Sequence, residues 1–258
     1  MTNEECYMEE KCYIENETQG QGIIIEALFP EIANLYGDTG NYRYLKKCLP
    51  AAQFVEDSLN EVPSFVQKRP GLIYMGPMSE HAQELVIDRL VPYRDRLKEL
   101  IDDGVIFLLT GNAAEVFWTA IENEDGTKID GLGLFSYVAK RRMFHRYNRH
   151  VMGKMGEIEI VGYKNQFTHS YGDNAEEYFF DVTKGDGLNP ETNKEGVRRN
   201  NFIGTYLLGP ILIQNPYFTE YILKLLGVEQ PQLAFDETIK AAYERRRSEY
   251  HEMEFEIY

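Results

Sequence analysis

The sequence predicts a single-domain, three-layer α/β/α sandwich with a mainly parallel sheet. Strand-like and helix-like segments alternate through the first half, as they do where helical crossovers join parallel strands. The run GVIFLLT (104–110) is apolar throughout, which is typical of a central parallel strand buried on both faces. No repeat, long linker or low-complexity tract divides the 258 residues. We therefore predict one domain over 21–258, preceded by a flexible acidic segment over 1–20.

The first half supplies most of the predicted parallel sheet. Three strands precede the apolar run: GIIIEALF (22–29), AAQFVEDSL (51–59) and PGLIYMGP (70–77). A helix is predicted from about Asn41, and another from Ser79 to Gly104 with an interruption at Pro92. After the apolar run, the stretch to Trp118 predicts a two-residue corner and the start of a further helix.

The second half predicts shorter strands and two closing helices. Shorter strands with turns are predicted in KIDGLGLFSYVAK (128–140), RRMFHRYNRHVMG (141–153) and EIEIVGYKNQF (157–167), and one more strand with its exit loop in NNFIGTYLLGPILI (200–213). The helical stretches, with apolar residues at helical spacing, are NPYFTEYILKLLG (215–227) and DETIKAAYERRRSEY (236–250).

Charge and composition exclude several classes of function. With 42 acidic against 27 basic residues, the net charge is −15, so the phosphates of nucleic acid or of an anionic membrane would be repelled. Nothing approaches the roughly 18 consecutive apolar residues of a membrane span, and the acidic N-terminus is unlike a targeting peptide. Three sparse cysteines fit a reducing compartment. We therefore predict a cytoplasmic protein that neither inserts into membranes nor binds nucleic acid.

The cysteines form no recognisable metal or catalytic motif. Cys6 and Cys12 have no nearby histidine or second cysteine pair. Cys48 falls within the first helix pattern, where a free cysteine is most simply a small core residue. We predict no metal and no cofactor.

In an open sheet of parallel strands, functional groups gather in the crevice at the carboxyl ends of the strands. In this chain that edge is formed by the loops after Phe29, Met75, Leu109 and Leu207. Any site is therefore expected within these four loops.

Five segments around these loops carry a family resemblance. They are LFPEIANLYGDTGNYRYL (28–45), YMGPMSEHAQE (74–84), LLTGNAAEVFW (108–118), GDGLNPETNKEG (185–196) and GTYLLGPILIQNP (204–216). In this order and spacing they resemble class I glutamine amidotransferases of the cobyric acid synthase (CobB/CobQ) type, which have a flavodoxin-like fold. Within that group they look most like the glutaminase subunit that, beside a Mur-ligase-like partner, amidates the D-glutamate of lipid II. The resemblance extends from about residue 22 to 227.

The resemblance implies a glutaminase that works through a covalent intermediate. In the family, a cysteine thiolate at the strand-to-helix corner attacks the carboxamide of glutamine and releases ammonia. The helix N-terminus lowers the pKa of the thiol, and a histidine acts first as base and then as acid. Backbone N–H groups from a Gly-rich loop after an earlier strand and from the residue after the nucleophile hold the oxyanion, and the corresponding positions here are Gly76, Pro77 and Gly111. A third, carboxylate member of the triad is not expected in this subfamily.

This chain departs from the family at each of these positions. The corner is Thr110-Gly111-Asn112 where the family has Cys-Gly-Gly, and Leu208 replaces the histidine in GTYLLGP. The oxyanion loop is Met75-Gly76-Pro77-Met78 instead of Gly-Gly-Gly-Gln. Because proline has no N–H, Pro77 cannot donate to an oxyanion. We therefore expect the loss of glutaminase activity and a smaller, drier pocket.

The substrate side of the pocket is assigned by position within the family. Its residues are Met78, Asn112, Arg146, Arg149, Gln166 and His169. Arg146 or Arg149 is the candidate for holding the carboxylate of glutamine, with a solvated basic strand or loop as the alternative. His169 is a candidate replacement for the missing base, with a hydrogen-bonded surface histidine as the alternative. The segment NLYGDTGN (34–41) consists of turn and cap residues that serve the fold or partner docking.

Three hypotheses fit these residues. In the first, the chain is a catalytically impaired amidotransferase-like subunit that binds or regulates a Mur-ligase-like or corrinoid-amidating synthetase subunit. In the second, it is an active enzyme of altered chemistry that uses Thr110, Asn112, His169 and an arginine of 141–149. That hypothesis requires a base within hydrogen-bonding reach of Thr110. In the third, it binds glutamine weakly without hydrolysing it.

Overall fold

The structure is a computed structural model that describes residues 17–252. Most of the predicted flexible segment 1–20, together with Cys6 and Cys12, lies outside the described residues. The described part begins with a turn that is tied to the rest of the fold. Gln19 Nε2 donates to the carbonyl of Gln232 at 2.9 Å, and the amide of Ala51 donates to the carbonyl of Gln19 at 3.1 Å. The domain boundary at residue 21 stays a prediction.

The first half alternates strands and helices as predicted. The strands are β1 (Ile24–Leu28), β2 (Gln53–Asp57), β3 (Leu72–Met75) and β4 (Ile106–Thr110). The helices are α1 (Gly40–Cys48), α2 (Glu80–Leu90) and α3 (Arg94–Asp102). Pro92 lies in the short 3₁₀ turn between α2 and α3, where the sequence predicts an interruption. Ser79 caps α2, because its hydroxyl accepts a hydrogen bond from the amide of Ala82 at 3.2 Å.

The second half contains shorter strands and three helices. The strands are β5 (Trp118–Glu122), β6 (Lys128–Asp130), β7 (Phe135–Arg141), β8 (Tyr147–Met155), β9 (Ile158–Gln166), β10 (Thr168–Tyr171), β11 (Phe180–Lys184), β12 (Lys194–Glu195), β13 (Val197–Arg199) and β14 (Phe202–Thr205). The helices are α4 (Ile211–Gln214), α5 (Pro216–Leu225) and α6 (Asp236–Glu252).

A six-stranded sheet in the order β13-β14-β4-β3-β1-β2 forms the centre of the fold. All neighbouring pairs in this sheet are parallel except β13 and β14. The register places Thr205 of β14 beside Thr110 of β4, and Met75 of β3 beside Leu109. The carboxyl ends of β1, β3, β4 and β14 therefore lie at one edge, as the mainly parallel sheet predicts.

Alternate residues of the central strands pack on opposite faces of this sheet. On β3, Ile73 and Met75 join a core with residues of α2 and α3. Leu72 and Tyr74 join the other core, with residues of α1 and α5. Helices therefore cover both faces, which confirms the predicted three-layer sandwich. Cys48 is buried in the second core.

Two four-stranded sheets, ordered β10-β7-β5-β6 and β12-β11-β8-β9, complete the fold. Within them, β7 pairs antiparallel with β10, and β8 pairs antiparallel with β9. Five residues, 142–146, join β7 to β8, whereas Phe167 alone joins β9 to β10. The stretch 141–153, for which the sequence predicts shorter strands with turns, contains the end of β7, a protruding loop and most of β8.

The prediction that a helix starts after Thr110 is wrong. Gly111–Phe117 is a 3₁₀ segment of seven residues that leads directly into β5. All of it except Asn112 is buried, so it has no solvent-exposed face of the kind that an amphipathic helix presents. Because the segment is short and not α-helical, it does not supply the strong dipole at residue 110 that the family mechanism uses.

Candidate functional site

Thr110, the predicted counterpart of the family's nucleophile, is the last residue of β4 and is fully buried. Its hydroxyl donates a hydrogen bond to Asp38 Oδ2. The same oxygen accepts hydrogen bonds from the Tyr74 hydroxyl at 2.6 Å and from Asn41 Nδ2 at 3.1 Å. Thr110 is thus one of three side chains that donate to Oδ2 of this buried carboxyl, whose Oδ1 has no hydrogen-bond partner in the described residues.

Asp38 is the partner of Thr110 that the sequence did not predict. Burial raises the pKa of its carboxyl, while hydrogen bonds from Thr110, Tyr74 and Asn41 lower it, and the net shift is upward. Sequence patterns place Asp38 in a turn. A contact with Thr110 is indicated only because the loops after β1 and β4 meet at one edge of the sheet. The carboxyl is a proton acceptor within hydrogen-bonding reach of the hydroxyl.

Leu208, at the position of the family's base, packs beside the corner with Pro77. A Cβ atom on Gly111 would lie 2.5 Å from Pro77 Cβ and 2.9 Å from Leu208 Cδ2. Gly111 has φ +59°, and both neighbouring side chains are buried. The backbone of Leu208 is fixed separately, because its amide donates to the carbonyl of Tyr163 on β9 at 2.8 Å. Apolar side chains therefore close the space beside Thr110.

The loop predicted to form the oxyanion hole lacks one N–H group, and a second is occupied. Pro77 has no N–H, and the N–H of Met78 donates to Asn112 Oδ1 at 2.9 Å. Asn112 Nδ2 donates back to the carbonyl of Met78 at 2.8 Å. A Cβ atom on Gly76 would lie 2.5 Å from the carbonyl oxygen of Ala33, so this loop is packed against the one after β1. Asn112 and Met78 lock each other and do not face an open pocket.

His169 lies on β10, away from the hydroxyl of Thr110. Its ring contacts that of Tyr147, with centroids 4.7 Å apart. Burial, and after it the charge of Lys164, lower the pKa of His169 to about 4. Within residues 17–252, Nε2 of His169 has no hydrogen-bond partner, and Thr110 donates to Asp38 instead. The structure therefore does not bring His169 and Thr110 together as base and nucleophile.

The two candidate arginines have different surroundings. Arg146 is exposed, and its guanidinium lies 4.8 Å from the centroid of the Phe167 ring. Arg149 is buried, and its Nε forms an ion pair with Asp186 Oδ2 at 3.0 Å. The positive charge of Arg149 is thus already balanced by a carboxylate of this chain.

Three predicted pocket residues do meet, around the ring of Tyr147. The guanidinium of Arg149 and the imidazole of His169 both contact this ring, and Gln166 is its register partner across β8 and β9. Gln166 Nε2 donates to the carbonyl of Thr168 at 2.6 Å, while its Oε1 is buried with no hydrogen-bond partner in the described residues. These side chains form a polar cluster on the ribbon of β8 and β9.

A buried ion pair between Lys164 and Glu195 lies between this cluster and the central sheet. Glu195 Oε1 accepts hydrogen bonds from the Thr205 hydroxyl at 2.9 Å and from the amide of Tyr206 at 3.0 Å. Lys164 Nζ also donates to the carbonyl of Gly187 at 2.6 Å. Because breaking a buried pair leaves one charge unbalanced, this pair fixes β9 against the end of β14.

Glu115 anchors a second buried hydrogen-bond network behind the corner. Its carboxyl accepts hydrogen bonds from Gln83 Nε2 at 2.9 Å and from the Tyr206 hydroxyl at 2.8 Å. Gln83 Oε1 in turn accepts from Arg141 Nη2 at 2.8 Å. Burial raises the pKa of Glu115 to about 7.

Two surface cavities, of about 430 and 490 Å³, lie elsewhere on the molecule. Tyr217 and Tyr243 help to line the first, and Asn174 and Asn189 the second; neither cavity is lined by Thr110.

In the described part of the chain, no group of three or more His, Cys, Asp or Glu side chains is arranged to hold a metal ion. No described helix is long and apolar enough to cross a membrane.

The sequence of this domain identifies its protein family. Residues 24–216 match the CobB/CobQ-like glutamine amidotransferase domain. The chain belongs to this family. The match spans the central strands and every loop described above, including the corner at Thr110 and the segment that carries Leu208.

Two relatives of this amidotransferase-like chain are subunits named GatD of lipid II isoglutaminyl synthase (glutamine-hydrolyzing). The subunit from Staphylococcus aureus (strain N315) is 31% identical over 195 residues, which cover 74% of this chain and 79% of the relative. The subunit from Streptococcus pneumoniae (strain ATCC BAA-255 / R6) is 25% identical over 203 residues, which cover 74% of this chain and 75% of the relative.

Solved structures share the fold at low sequence identity. A glutamine amidotransferase from Thermotoga maritima superposes with a TM-score of 0.50 and 11% identity, covering 88% of this chain and 94% of that one. PurLQS from Thermotoga maritima gives a TM-score of 0.52 and 9% identity, covering 80% of this chain and 95% of that one. These likenesses support the glutamine amidotransferase fold, as the sequence predicts.

Proposed function

We propose that this chain is a non-catalytic glutamine amidotransferase-like subunit that binds or regulates a Mur-ligase-like partner. The observation that carries the proposal is the closed corner. The Thr110 hydroxyl is fully buried against Asp38, and the side chains of Pro77 and Leu208 pack over Gly111. A substrate carboxamide has no place to approach this hydroxyl in the described arrangement.

The missing oxyanion donors support the same proposal independently. Attack on a carboxamide develops negative charge on its oxygen, and the family stabilises this charge with backbone N–H groups. In this chain Pro77 has none, and the N–H of Met78 is held by Asn112. Removing one such donor costs a rate factor of about 10²–10³ in other enzymes.

An active enzyme of altered chemistry is the second candidate, and Asp38 is the observation that favours it. Its carboxyl accepts a hydrogen bond from the Thr110 hydroxyl, which is the contact that a general base requires. Two further donors, Tyr74 and Asn41, also bind this carboxylate and weaken it as a base. Because the pair is buried and the oxyanion donors are lacking, the non-catalytic function is better supported.

The partner is inferred from the relatives. Both are named as subunits of an enzyme that amidates lipid II, and the family resemblance pairs such subunits with a Mur-ligase-like protein. This chain keeps the sheet, the loops after β1 and β14, and the buried pairs that fix them. A scaffold retained without its chemistry fits a role in binding or regulation.

The test is release of ammonia and glutamate from L-glutamine by the pure chain, alone and with the Mur-ligase-like subunit of the same organism. We expect no turnover above a blank without enzyme, together with a change in the ligase activity of the partner. The chain would instead be an active enzyme of altered chemistry if it shows turnover that is lost in Thr110→Ala and in Asp38→Asn. Circular dichroism checks that both variants are folded. Absence of both turnover and any complex would reject both functions.

A further inference from the structure

The five-residue loop 142–146, here called the Phe144 loop, presents an apolar tip to solvent. Phe144 is 90% exposed and the adjacent Met143 is 40% exposed. The loop protrudes because five residues join β7 to β8, where only Phe167 joins the paired strands β9 and β10. Adjacent large apolar side chains exposed in this way mark surfaces that other molecules cover.

The loop is ordered by contacts at its base. The amide of Arg142 donates to the carbonyl of Phe167 at 2.6 Å, and the amide of His145 donates to the carbonyl of Arg142 at 3.0 Å. The guanidinium of Arg146 lies 4.8 Å from the centroid of the Phe167 ring. Phe144 is therefore held outward by a defined turn, which reduces the ordering cost of binding through it.

The surroundings of the loop are basic on an otherwise acidic chain. No aspartate or glutamate occurs between Asp130 and Glu157, although the chain contains 42 acidic residues. Nearby Arg141 and Arg149 have carboxylate partners in Glu84 and Asp186. Among residues 17–252, no carboxylate forms a salt bridge with Arg142 or Arg146, and both are exposed.

A second exposed apolar pair lies on the same edge of the ribbon. Leu35 is 42% and Tyr36 is 51% exposed, and Tyr36 has a left-handed backbone with φ +61°. The Tyr36 hydroxyl donates to Asn165 Oδ1 at 3.0 Å. Asn165 pairs in register with Asn148, close to the Phe144 loop. Tyr36 therefore contacts the same ribbon of β8 and β9 that the Phe144 loop leads into.

We propose that the Phe144 loop is the main docking element for the Mur-ligase-like partner. Phe144 would enter an apolar pocket of the partner whose rim carries carboxylates for Arg142 and Arg146. The inference rests on the proposed function and adds the surface that it uses. A protein partner is favoured over an anionic membrane or a second copy, because the net charge of −15 repels both outside this basic loop.

The experiment measures the dissociation constant between this chain and the purified Mur-ligase-like subunit by titration calorimetry. Phe144→Ala is expected to weaken binding about 30-fold, the scale of a central aromatic contact. Its matched control is Phe235→Ala, since Phe235 is 68% exposed on another surface and should leave affinity unchanged. Arg142→Glu combined with Arg146→Glu should weaken binding and reduce the salt dependence of the dissociation constant. Arg69→Glu, before the amino end of β3, is the charge control.

Each outcome decides between this inference and the proposed function. Equal affinity of Phe144→Ala and the wild-type chain overturns the docking inference and leaves the proposed function standing. If the chain hydrolyses glutamine and its affinity for the partner still depends on Phe144, the proposed non-catalytic function is overturned and the docking inference stands. No complex with the wild-type chain overturns both. Phe144-dependent binding to vesicles of equal phosphatidylglycerol and phosphatidylcholine, or Phe144-dependent dimers in sedimentation, would reassign the loop and overturn the inference.

Discussion

The hydroxyl of Thr110 donates a hydrogen bond to the carboxylate of Asp38, and both side chains are fully buried. This bond joins the end of β4 to the loop after β1. A buried carboxylate is costly unless donors satisfy it, so Thr110 acts here as a structural donor. The residue at the position of the family's nucleophile thereby stabilises the edge of the sheet.

Removing the Thr110 hydroxyl should destabilise the fold. We expect Thr110→Ala to lower the free energy of unfolding by about 1.5–3 kcal/mol relative to Thr110→Ser, because hydrogen bonds to charged groups contribute this much. Urea denaturation of both variants measures the difference, and the serine variant controls for the lost methyl group. Equal stability of the two variants would show that Asp38 does not depend on this donor.

Gly111 should tolerate no side chain. A Cβ atom there would contact Pro77 and Leu208 at 2.5 and 2.9 Å, at a φ of +59°. Gly156 has nearly the same φ, +58°, with nothing within 4 Å of its Cβ position. We expect about 1 kcal/mol of destabilisation for Gly156→Ala from the backbone alone, and about 3 kcal/mol for Gly111→Ala from backbone and overpacking together. Thermal or chemical denaturation giving equal losses would contradict the close packing at the corner.

Restoring the two side chains of the family should not by itself restore glutamine turnover. In Thr110→Cys combined with Leu208→His, the thiol and imidazole return, but position 77 still lacks an N–H. Adding Pro77→Gly to this pair supplies the donor. We expect the triple variant to release ammonia about 10²-fold faster than the double variant, the usual effect of one oxyanion donor. Equal rates would mean that residue 77 does not contribute to oxyanion binding.

Glu115 should make stability depend on pH. Its pKa is raised from 4.5 to about 7, so the native chain holds a proton that the unfolded chain has already released. The stability from this group is fully present below pH 4.5 and is lost as the pH rises through about 7.

The variant Glu115→Gln removes this titration. Relative to the wild-type chain, its free energy of unfolding should improve by about 3 kcal/mol between pH 4 and pH 8, which corresponds to the pKa shift. Denaturation at a series of pH values measures this difference. A difference that stays constant across the range would show that Glu115 titrates normally.

The architecture was predictable because its patterns are local. The apolar run 104–110 and the break at Pro92 depend on neighbouring residues only, and both appear as β4 and as the turn between α2 and α3. Parallel strands then fix which loops meet. The sheet edge with the corner at Thr110 and the substituted Leu208 followed from that rule.

The features that were missed depend on distant contacts. The 3₁₀ segment after Thr110 forms where Glu115 is buried against Gln83 and Tyr206, which are far away in the sequence. The contact of Asp38 with Thr110 joins residues 72 positions apart. No local periodicity encodes any of these.

The hydrogen bond from the Leu208 amide to the Tyr163 carbonyl uses main-chain atoms only. The course of the main chain at this point therefore does not depend on which side chain residue 208 carries. At residue 208, selection on catalytic chemistry and selection on the fold can act separately. A histidine at this position can therefore be exchanged for leucine while the surrounding loops keep their course. In such a fold a substitution at residue 208 would remove a catalytic side chain without altering a surface elsewhere on the molecule.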